Sequence, residues 1–587
     1  MHSDEIISAL AIDINFQKVS CSLKQGFRGP KKCILKEVSG SFKSGELTAI
    51  MGPSGAGKTT LLNILTGFQK DFTGKVAYQS ERSELSWKTF KKYSRYIQQD
   101  DALFPFFTVQ ETISIAAELK LGKNLSRGTK EKVIDDVLSS LDLIRTKDTR
   151  CAMLSGGERK RLSIALEMVN NPLVMFLDEP TTGLDSTAAM QCATVMKNLA
   201  RNCRTIICTI HQPSSPIFEM FDQVYLVAEG RCVYHGDPIN IVTYLSRVGL
   251  TCPKYHNPAD YVMEVMCNEY GNFNKRLADV HSDSWRKMTK KLEVEKYEKQ
   301  EITATMNSPS EFNNARVLLN RCLLRTYKDW QTTIVKLIIY IGLGLLMGMT
   351  YYDCGFNANK FQTNLGMLVL LGIIVFYCSL LPAVLKFPFE LLILRKEHLN
   401  DWYKIRTHYV TFIVTGLILQ SFFVIIFTTI VYLLSSQPLE FQRYVMFETM
   451  MILFSFIGEG IGLMLGIYFE PVAGIFGCIV VGVSQVSFCG YFIYYNHMSR
   501  YVSYFSNIMF TRYVTEGILH AIYGYKREKL YCPSNTVYCH FRTPQTFLTE
   551  VQLKHDNFTM DVLILIFHSI VLFILAYYLL KKKVSSV

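Results

Sequence analysis

Residues Met1 to Ile12 lack the basic start and the long apolar core of a secretory leader, so none is expected. The ten cysteines before residue 330 lack metal-ligand spacing, which argues against a zinc framework and suits reduced thiols in the cytosol. Acidic residues are too few to balance the basic ones, leaving a net charge of +12. Such an excess fits a nucleic-acid binder. A membrane protein with a Lys- and Arg-rich cytosolic face accounts for it as well, and the second half favours that reading, with no nucleic acid as partner. What that half lacks is charge. Six stretches, at about 334–352, 365–385, 409–434, 444–469, 471–495 and 562–580, each approach or exceed the roughly 20 apolar residues a helix needs to cross a bilayer. Lys336 interrupts the first, near its end, where a lysine can snorkel to the interface.

The first half is ordinary in composition and carries the chemistry. Residues 14 to 50 alternate short apolar runs with polar turns, as in a small β-subdomain. The apolar run Leu47 to Met51 then leads into Gly52-Pro53-Ser54-Gly55-Ala56-Gly57-Lys58-Thr59, followed by Thr60 and a helical stretch. This is the phosphate-cradling pattern G-x-x-x-x-G-K-[ST] in its required strand–loop–helix setting. Its glycines let backbone N–H groups and a helix N-terminus face phosphate oxygens. Lys58 is placed for the β- and γ-phosphates and Thr59 for Mg²⁺, so ATP and Mg²⁺ are the expected cofactors. Further on, Leu173 to Leu177 is a fully apolar strand ending in Asp178-Glu179. Beside a phosphate loop, Asp178 is placed to hold the Mg²⁺ shell and Glu179 to polarise an attacking water.

Gln99, then Ser155-Gly156-Gly157-Glu158, Asp178-Glu179, Gly183-Leu184-Asp185 and His211 follow the loop in that order. The ordered set resembles the nucleotide-binding domain of ATP-binding cassette (ABC) transporters. The resemblance implies that Gln99 senses the γ-phosphate, the metal and the transmembrane domain, and that His211 is the switch histidine. It also implies that Ser155, Gly156 and Gly157 close over ATP bound by a partner subunit, with Asp185 in the loop joining the two sites. The family usually stacks an aromatic on adenine from a strand near the N-terminus. Cys21 stands nearest that position, and Phe16 or Phe27 could substitute.

The expected fold is therefore an α/β P-loop ATPase, residues 1–280, followed by an all-α six-helix transmembrane domain, residues 333–587. Between them lie a charged linker, 281–310, and an amphipathic interfacial helix, 311–332, that alternates Val317-Leu318-Leu319 with Arg316, Arg321 and Arg325. The loop after the second span holds Lys386, Arg395, Lys396, Lys404 and Arg406, and the tail holds Lys581-Lys582-Lys583. The positive-inside rule then puts both termini in the cytosol.

A cassette ahead of six spans resembles the G subfamily, the White-type half-transporters, over nearly the whole chain. Phe387 to Glu390, Glu397-His398, Trp402-Tyr403, Cys489 to Phe492, and Cys532 with Cys539 in the outer loop (496–560) carry that likeness, closest to the sterol- and lipid-exporting members. It implies that Glu390 and Glu397 couple the cassette to the spans near the loop glutamine. It places Tyr491 and Phe492 at an apolar plug of the cavity. Cys532 and Cys539, in an oxidising location, are expected to form a disulfide within one chain. Glu459, at mid-span, should face the bundle interior, with Ser484, Gln485 or Ser487 of the fifth span as partners. Leu399, Tyr403 and Arg406 fit a proposed cholesterol pattern. Asn557-Phe558-Thr559 is a glycosylation sequon abutting the last span.

One cassette and six spans make half a transporter, so the working unit is a homodimer or a heterodimer with another half-transporter. It would sit in the plasma membrane or an endosomal membrane and export a sterol or other lipid. A heterodimeric carrier of pigment precursors or other small molecules is the alternative, and an ATP-gated channel a more distant one.

Overall fold

The structure is a computed structural model, and it describes residues 11–24, 30–80, 83–122, 125–292, 309–493, 497–533, 539–551, 553 and 557–585. The chain divides into two compact units: Met1–Val317 with Lys396–Tyr403, and Leu318–Arg395 with Lys404–Ser586.

In the first unit, β1 (Ile12–Lys24), β2 (Lys31–Phe42), β4 (Thr73–Ser80) and β5 (Ser83–Leu85) form an antiparallel sheet in the order β2-β1-β4-β5. The second sheet runs β10-β9-β3-β8-β7-β6, from β3 (Leu47–Met51), β6 (Ser94–Ile97), β7 (Val174–Leu177), β8 (Thr205–Ile210), β9 (Gln223–Ala228) and β10 (Arg231–Gly236). β3, β6, β7 and β8 are wholly buried. They are parallel, with β9 parallel to β3 and β10 returning antiparallel. Continuous apolar runs such as Val174–Leu177 belong in such a strand because both faces are covered. The parallel register also brings the C-terminal ends of β3, β6, β7 and β8 to one edge, where an α/β sheet binds its ligand.

The helices of this unit are α1 (Lys58–Leu65), α2 (Trp87–Tyr93), α3 (Val109–Leu121), α4 (Arg127–Ser140), α5 (Gly156–Met168), α6 (Ser186–Arg201), α7 (Ser215–Glu219), α8 (Ile241–Ser246), α9 (Pro258–Met266) and α10 (Asn274–Leu292). Thr108 and Glu111, and likewise Ser155 and Glu158, form reciprocal capping boxes that start α3 and α5. α10 runs through the first twelve residues of the stretch expected as a linker from residue 281. It packs on β10, with His281 and His235 both against the Trp285 ring, so residues 281–292 belong to the cassette. Residues 293–308 of the expected linker lie outside the described residues.

α11 (Glu311–Lys328) ends at Lys328, short of the expected 332, and the unit boundary falls within it at Val317. The second unit continues with α12 (Trp330–Thr350), α13 (Phe361–Leu399), α14 (Ile405–Leu434), α15 (Phe441–Tyr468), α16 (Pro471–Ser487), α17 (Arg500–Ser506), α18 (Phe510–Tyr523), α19 (Pro544–Glu550) and α20 (Phe558–Ser585). Among the described residues, five helices are long and apolar enough to cross a membrane: α12, α13, α14, α15 and α20. The fifth expected span, 471–495, is corrected. α16 stops at Ser487, and the chain turns through Cys489 and Gly490, the latter at φ 74°. Apolarity continues to residue 495, but the helix does not. On α12, Ile334, Val335, Ile338, Leu346 and Met349 are exposed, as an apolar solvent permits.

Close helix packing in this unit rests on small residues. A Cβ at Gly458 or Gly462 would fall within 2.9 Å and 2.5 Å of the α13 carbonyl oxygens of Phe376 and Leu380. The helix that approaches Glu459's neighbours is thus α13, not the fifth apolar segment. Outside the long helices, Cys532 and Cys539 are bonded to each other, with Cα atoms 6.2 Å apart.

Candidate functional site

The phosphate loop joins the end of β3 to α1, and Gly52 must be glycine there. A Cβ would lie 2.1 Å from the Val227 carbonyl oxygen, which belongs to a sheet strand and cannot yield. Lys58 Nζ donates to the carbonyls of Gly52 (2.8 Å) and Pro53 (3.1 Å). Burial lowers its pKa, opposed by Glu179 and Asp178. A cavity of about 650 Å³ covers the loop, lined by Ser54, Gly55, Gly57, Lys58, Thr59 and Thr60, with Glu179 on one side.

The neighbouring strand ends supply the rest. After β7, Asp178 Oδ1 lies 3.5 Å from Thr59 Oγ1 and accepts from Thr209 Oγ1 at 2.6 Å, while Oδ2 accepts from Tyr96 at 3.1 Å. The Asp178 carboxylate drives the Tyr96 hydroxyl pKa further up, above what burial alone does. Glu179 Oε2 accepts from Gln99 Nε2 and from Thr182 Oγ1, each at 3.1 Å, and the Glu179 N–H donates to Thr209 Oγ1 at 2.8 Å. After β8, His211 Nε2 lies 3.0 Å from Ser54 Oγ. Gln99, Asp178, Glu179, His211 and the phosphate loop are therefore one constellation. Thr182 heads the run Thr182 to Asp185, whereas Tyr96 and Thr209, which orient Asp178 and the Glu179 backbone, carry no motif signal. Lys160 is equally silent in sequence, yet it donates to the Gln99 carbonyl at 2.8 Å and pairs with Asp101 at 3.1 Å, fixing the glutamine segment.

Ser155, Gly156 and Gly157 sit elsewhere and do not line the cavity over the phosphate loop. Ser155 caps α5, bonded to Glu158, whose carboxyl is held low chiefly by that hydroxyl. Gly157 faces α6, where a Cβ would come 2.7 Å from Ala188 Cβ. Asp185 caps α6 through Thr187 and the Ala188 N–H (3.4 Å), which lower its pKa.

Neither Phe16 nor Cys21 lines the cavity over the phosphate loop. Phe16 is buried against Phe42 and Tyr225, and Cys21 is buried and bonded to the Asp71 carbonyl. Phe27 lies outside the described residues. The cavity wall on that side comes instead from Cys33, Ile34 and Lys36 of β2 with Gly230.

The expected coupling pair separates. Glu390 lies in the second unit, buried and bonded to Arg325. Glu397 belongs to the first unit, but its carboxylate is bonded to Tyr403. Other residues of Lys396–Tyr403 make the contacts. Asn400 bonds both the N–H and the carbonyl of Tyr96 at 2.8 Å, Lys396 Nζ reaches Ser163 Oγ at 3.0 Å, and Trp402 Nε1 donates to Glu167 Oε1 at 3.0 Å. This segment is thus pinned beside the strand that leads to Gln99. Leu399 packs on the first unit's core and Tyr403 is buried, so the cholesterol pattern does not form a lipid-facing surface.

In the second unit, Tyr491 and Phe492 lie past the end of α16 with ring centroids 5.2 Å apart. Tyr491 packs against the core and Phe492 is exposed. Gln485 accepts from Thr511 at 3.3 Å and donates to Met509 Sδ, while Ser484 and Ser487 bond back to their own helix. Those three are not Glu459's partners.

Residues 35–182 match the family described as ABC transporter, and residues 211–321 and 313–523 match families described as ABC-2 type transporter. ABC transporter G family member 21 of Arabidopsis thaliana is 29% identical over 94% of this chain and 86% of its own. Member 14 of the same plant is 30% identical over 78% of this chain and 76% of its own. The chain belongs to the ABC transporter G family. A Dictyostelium discoideum relative, ABC transporter G family member 1, is 36% identical over 43% of this chain. This G-family chain is thus a half-transporter: an ATP-binding ATPase domain ahead of a helical transmembrane domain, integral to a membrane, coupling ATP hydrolysis to transport. Half-transporters of this family imply dimerisation.

Proposed function

We propose that two copies of this chain use ATP hydrolysis to export a lipophilic molecule, a sterol or another lipid. The observation that carries the substrate class is an apolar cavity in the second unit. Leu368, Phe376, Phe454, Val486 and Leu519 help line it, with Tyr377, Gln485, Thr511 and Thr515 among its polar groups. Such a lining rewards burial of hydrocarbon and leaves a few polar groups to orient it.

In this reading the loop amides and Lys58 hold the ATP phosphates, Gln99 and Thr182 fix the Glu179 carboxylate, and Glu179 polarises the attacking water. His211, beside Ser54, reports on the γ-phosphate position. The oxygens of Thr59, Asp178 and Gln99 suit Mg²⁺, a hard cation, which when bound neutralises phosphate charge. Ser155, Gly156 and Gly157 of one copy complete the site of the other, which is why they stand apart from their own phosphate loop. Both halves of the site are intact here, which favours a homodimer. The basic segment after the second span and the basic tail favour a cytosolic cassette, at the plasma or an endosomal membrane.

The test is the chain purified alone into phosphatidylcholine vesicles. ATPase activity should rise several-fold on adding sterol and vanish in Glu179→Gln. Activity indifferent to sterols and other lipids would remove the substrate class. Activity that appears only on adding another half-transporter would replace the homodimer.

A further inference from the structure

A second cavity in the same unit, of about 90 Å³, has a different lining. Lys336 of α12, Lys386 of α13 and Glu459 of α15 enter it, together with Ser379, Thr415 and Gln420. Arg325 also reaches it, but its guanidinium is bonded to Glu390 and so is compensated. Among the described residues the Lys336 and Lys386 ammonium groups make no ion pair or hydrogen bond; Lys386 has only the Phe412 ring, 5.8 Å away. Glu459 Oε2 is buried without a hydrogen-bond partner. Its Oε1 lies over Gly416, where a Cβ would come within 2.8 Å. Two cations and one carboxylate therefore share a lined space without pairing, and the balance is one positive charge.

Charge inside a membrane domain is costly unless something compensates it. Glu459 answers one of the two lysine charges, and a single anion that takes several hydrogen bonds, as a phosphate diester does, would answer the other. The position fits a lipid. Lys336 is about 9 Å along the axis of α12 from Trp330, an exposed aromatic of the kind that sits at headgroup depth. Lys386 is exposed, so the cavity opens at that end.

We propose that this cavity binds the anionic phosphate of a phospholipid headgroup from the cytosolic leaflet, gripped by Lys336 and Lys386 and opposed by Glu459. The lipid is a resident of the site and not the exported molecule. The opposing carboxylate keeps its binding reversible.

The experiment uses the full chain in phosphatidylcholine nanodiscs containing a minor fraction of phosphatidylglycerol, with retained lipid counted by native mass spectrometry. One phosphatidylglycerol per chain should be retained in preference to phosphatidylcholine, whose own ammonium masks its phosphate. Lys336→Gln combined with Lys386→Gln should lower that retention by roughly tenfold or more, whereas the double Arg variant keeps it. Glu459→Gln should raise retention several-fold, because it removes repulsion and preserves shape. A purely structural Lys–Glu cluster predicts no such rise. A thermal melt of each variant, with retention in the double Arg variant, reports that the second unit is folded, and no readout depends on transport. Unchanged retention in the double Gln variant, or in Glu459→Gln, overturns the proposal. Displacement of the lipid by millimolar inorganic phosphate, with no effect from matched sulfate, would assign the site to a soluble phosphate and overturn the lipid source.

Discussion

Glu167 on α5 and Glu459 on α15 each turn a carboxylate away from water, and their surroundings are opposite. Glu167 is fully buried and surrounded by donors: Lys120 Nζ at 2.7 Å, Trp402 Nε1 at 3.0 Å and Arg95 Nε at 3.8 Å. The Lys120 ammonium also lies 4.4 Å from the Trp402 ring centre and donates to the Leu166 carbonyl. Glu459 shares its cavity with two lysines and pairs with neither. In a cassette folded in water, a desolvated charge persists when the chain supplies its partners, even from distant segments. In a bundle whose helices satisfy their own backbone, a polar group can stay open to a ligand. The first arrangement is a fastening and the second a receptor.

The largest expected effect concerns a third carboxylate, Glu179, which is held by donors as Glu167 is but at the open edge of the sheet. Glu179→Gln keeps the shape and loses the water-polarising charge. Steady ATP hydrolysis should fall by about 10²–10⁴-fold while nucleotide binding persists. Full turnover in that variant would show that its donors serve only structure.

Next in size, Glu167→Gln leaves Lys120 and Arg95 buried without a counter-charge, a loss of about 3–5 kcal/mol. Glu459→Gln removes no partner and should cost less than about 1 kcal/mol. Thermal melts of the two variants in one detergent check this pair. Equal destabilisation would erase the distinction between fastening and receptor.

A smaller step is Trp402→Phe, which removes one donor from Glu167 and weakens the aromatic face over Lys120. The expected cost is about 1–3 kcal/mol, with Lys396–Tyr403 becoming the more protease-sensitive segment. A melt and a cleavage map like those of the parent would show that Asn400 and Lys396 suffice to hold the segment.

These regions also differ in how far the sequence reveals them. Gly52 to Thr60, Asp178-Glu179 and His211 are legible because each is a contiguous run at a strand end, and parallel pairing brings strand ends together. Trp402 and Glu167 are 235 residues apart, and no periodicity or spacing joins them. The resemblance points to Glu390 and Glu397 as the coupling acids, but contacts within the first unit are made by Asn400, Lys396 and Trp402, whose roles depend on the fold. The fifth span was overextended because hydropathy cannot see that Gly490 turns the backbone. Glu459 was recognisable as an anomaly. Its neighbours were not, since the helix seated on the glycines around it is not the adjacent one in sequence.

The subtlest prediction is a pH dependence from the fastened cluster. Burial pulls the Lys120 pKa down to about 8, against the upward pull of Glu167, with Arg95 and Lys396 adding to the lowering. An unfolded lysine keeps its proton to near 10.4. Between about pH 8 and 10 the unfolded chain therefore binds more protons at this residue than the folded one, and this group alone makes stability rise with pH in that window. Deprotonation also ends the cation–π contact, so Trp402 fluorescence should change with a midpoint near pH 8. Lys120→Met should abolish both the midpoint and that share of the stability slope, with Trp402→Phe identifying the fluorescence component. The Glu459 cavity predicts no matching signal, since none of its lining residues is a tryptophan. A midpoint that survives in Lys120→Met would place the titration on another group and return Lys120 to the role of a permanently charged partner.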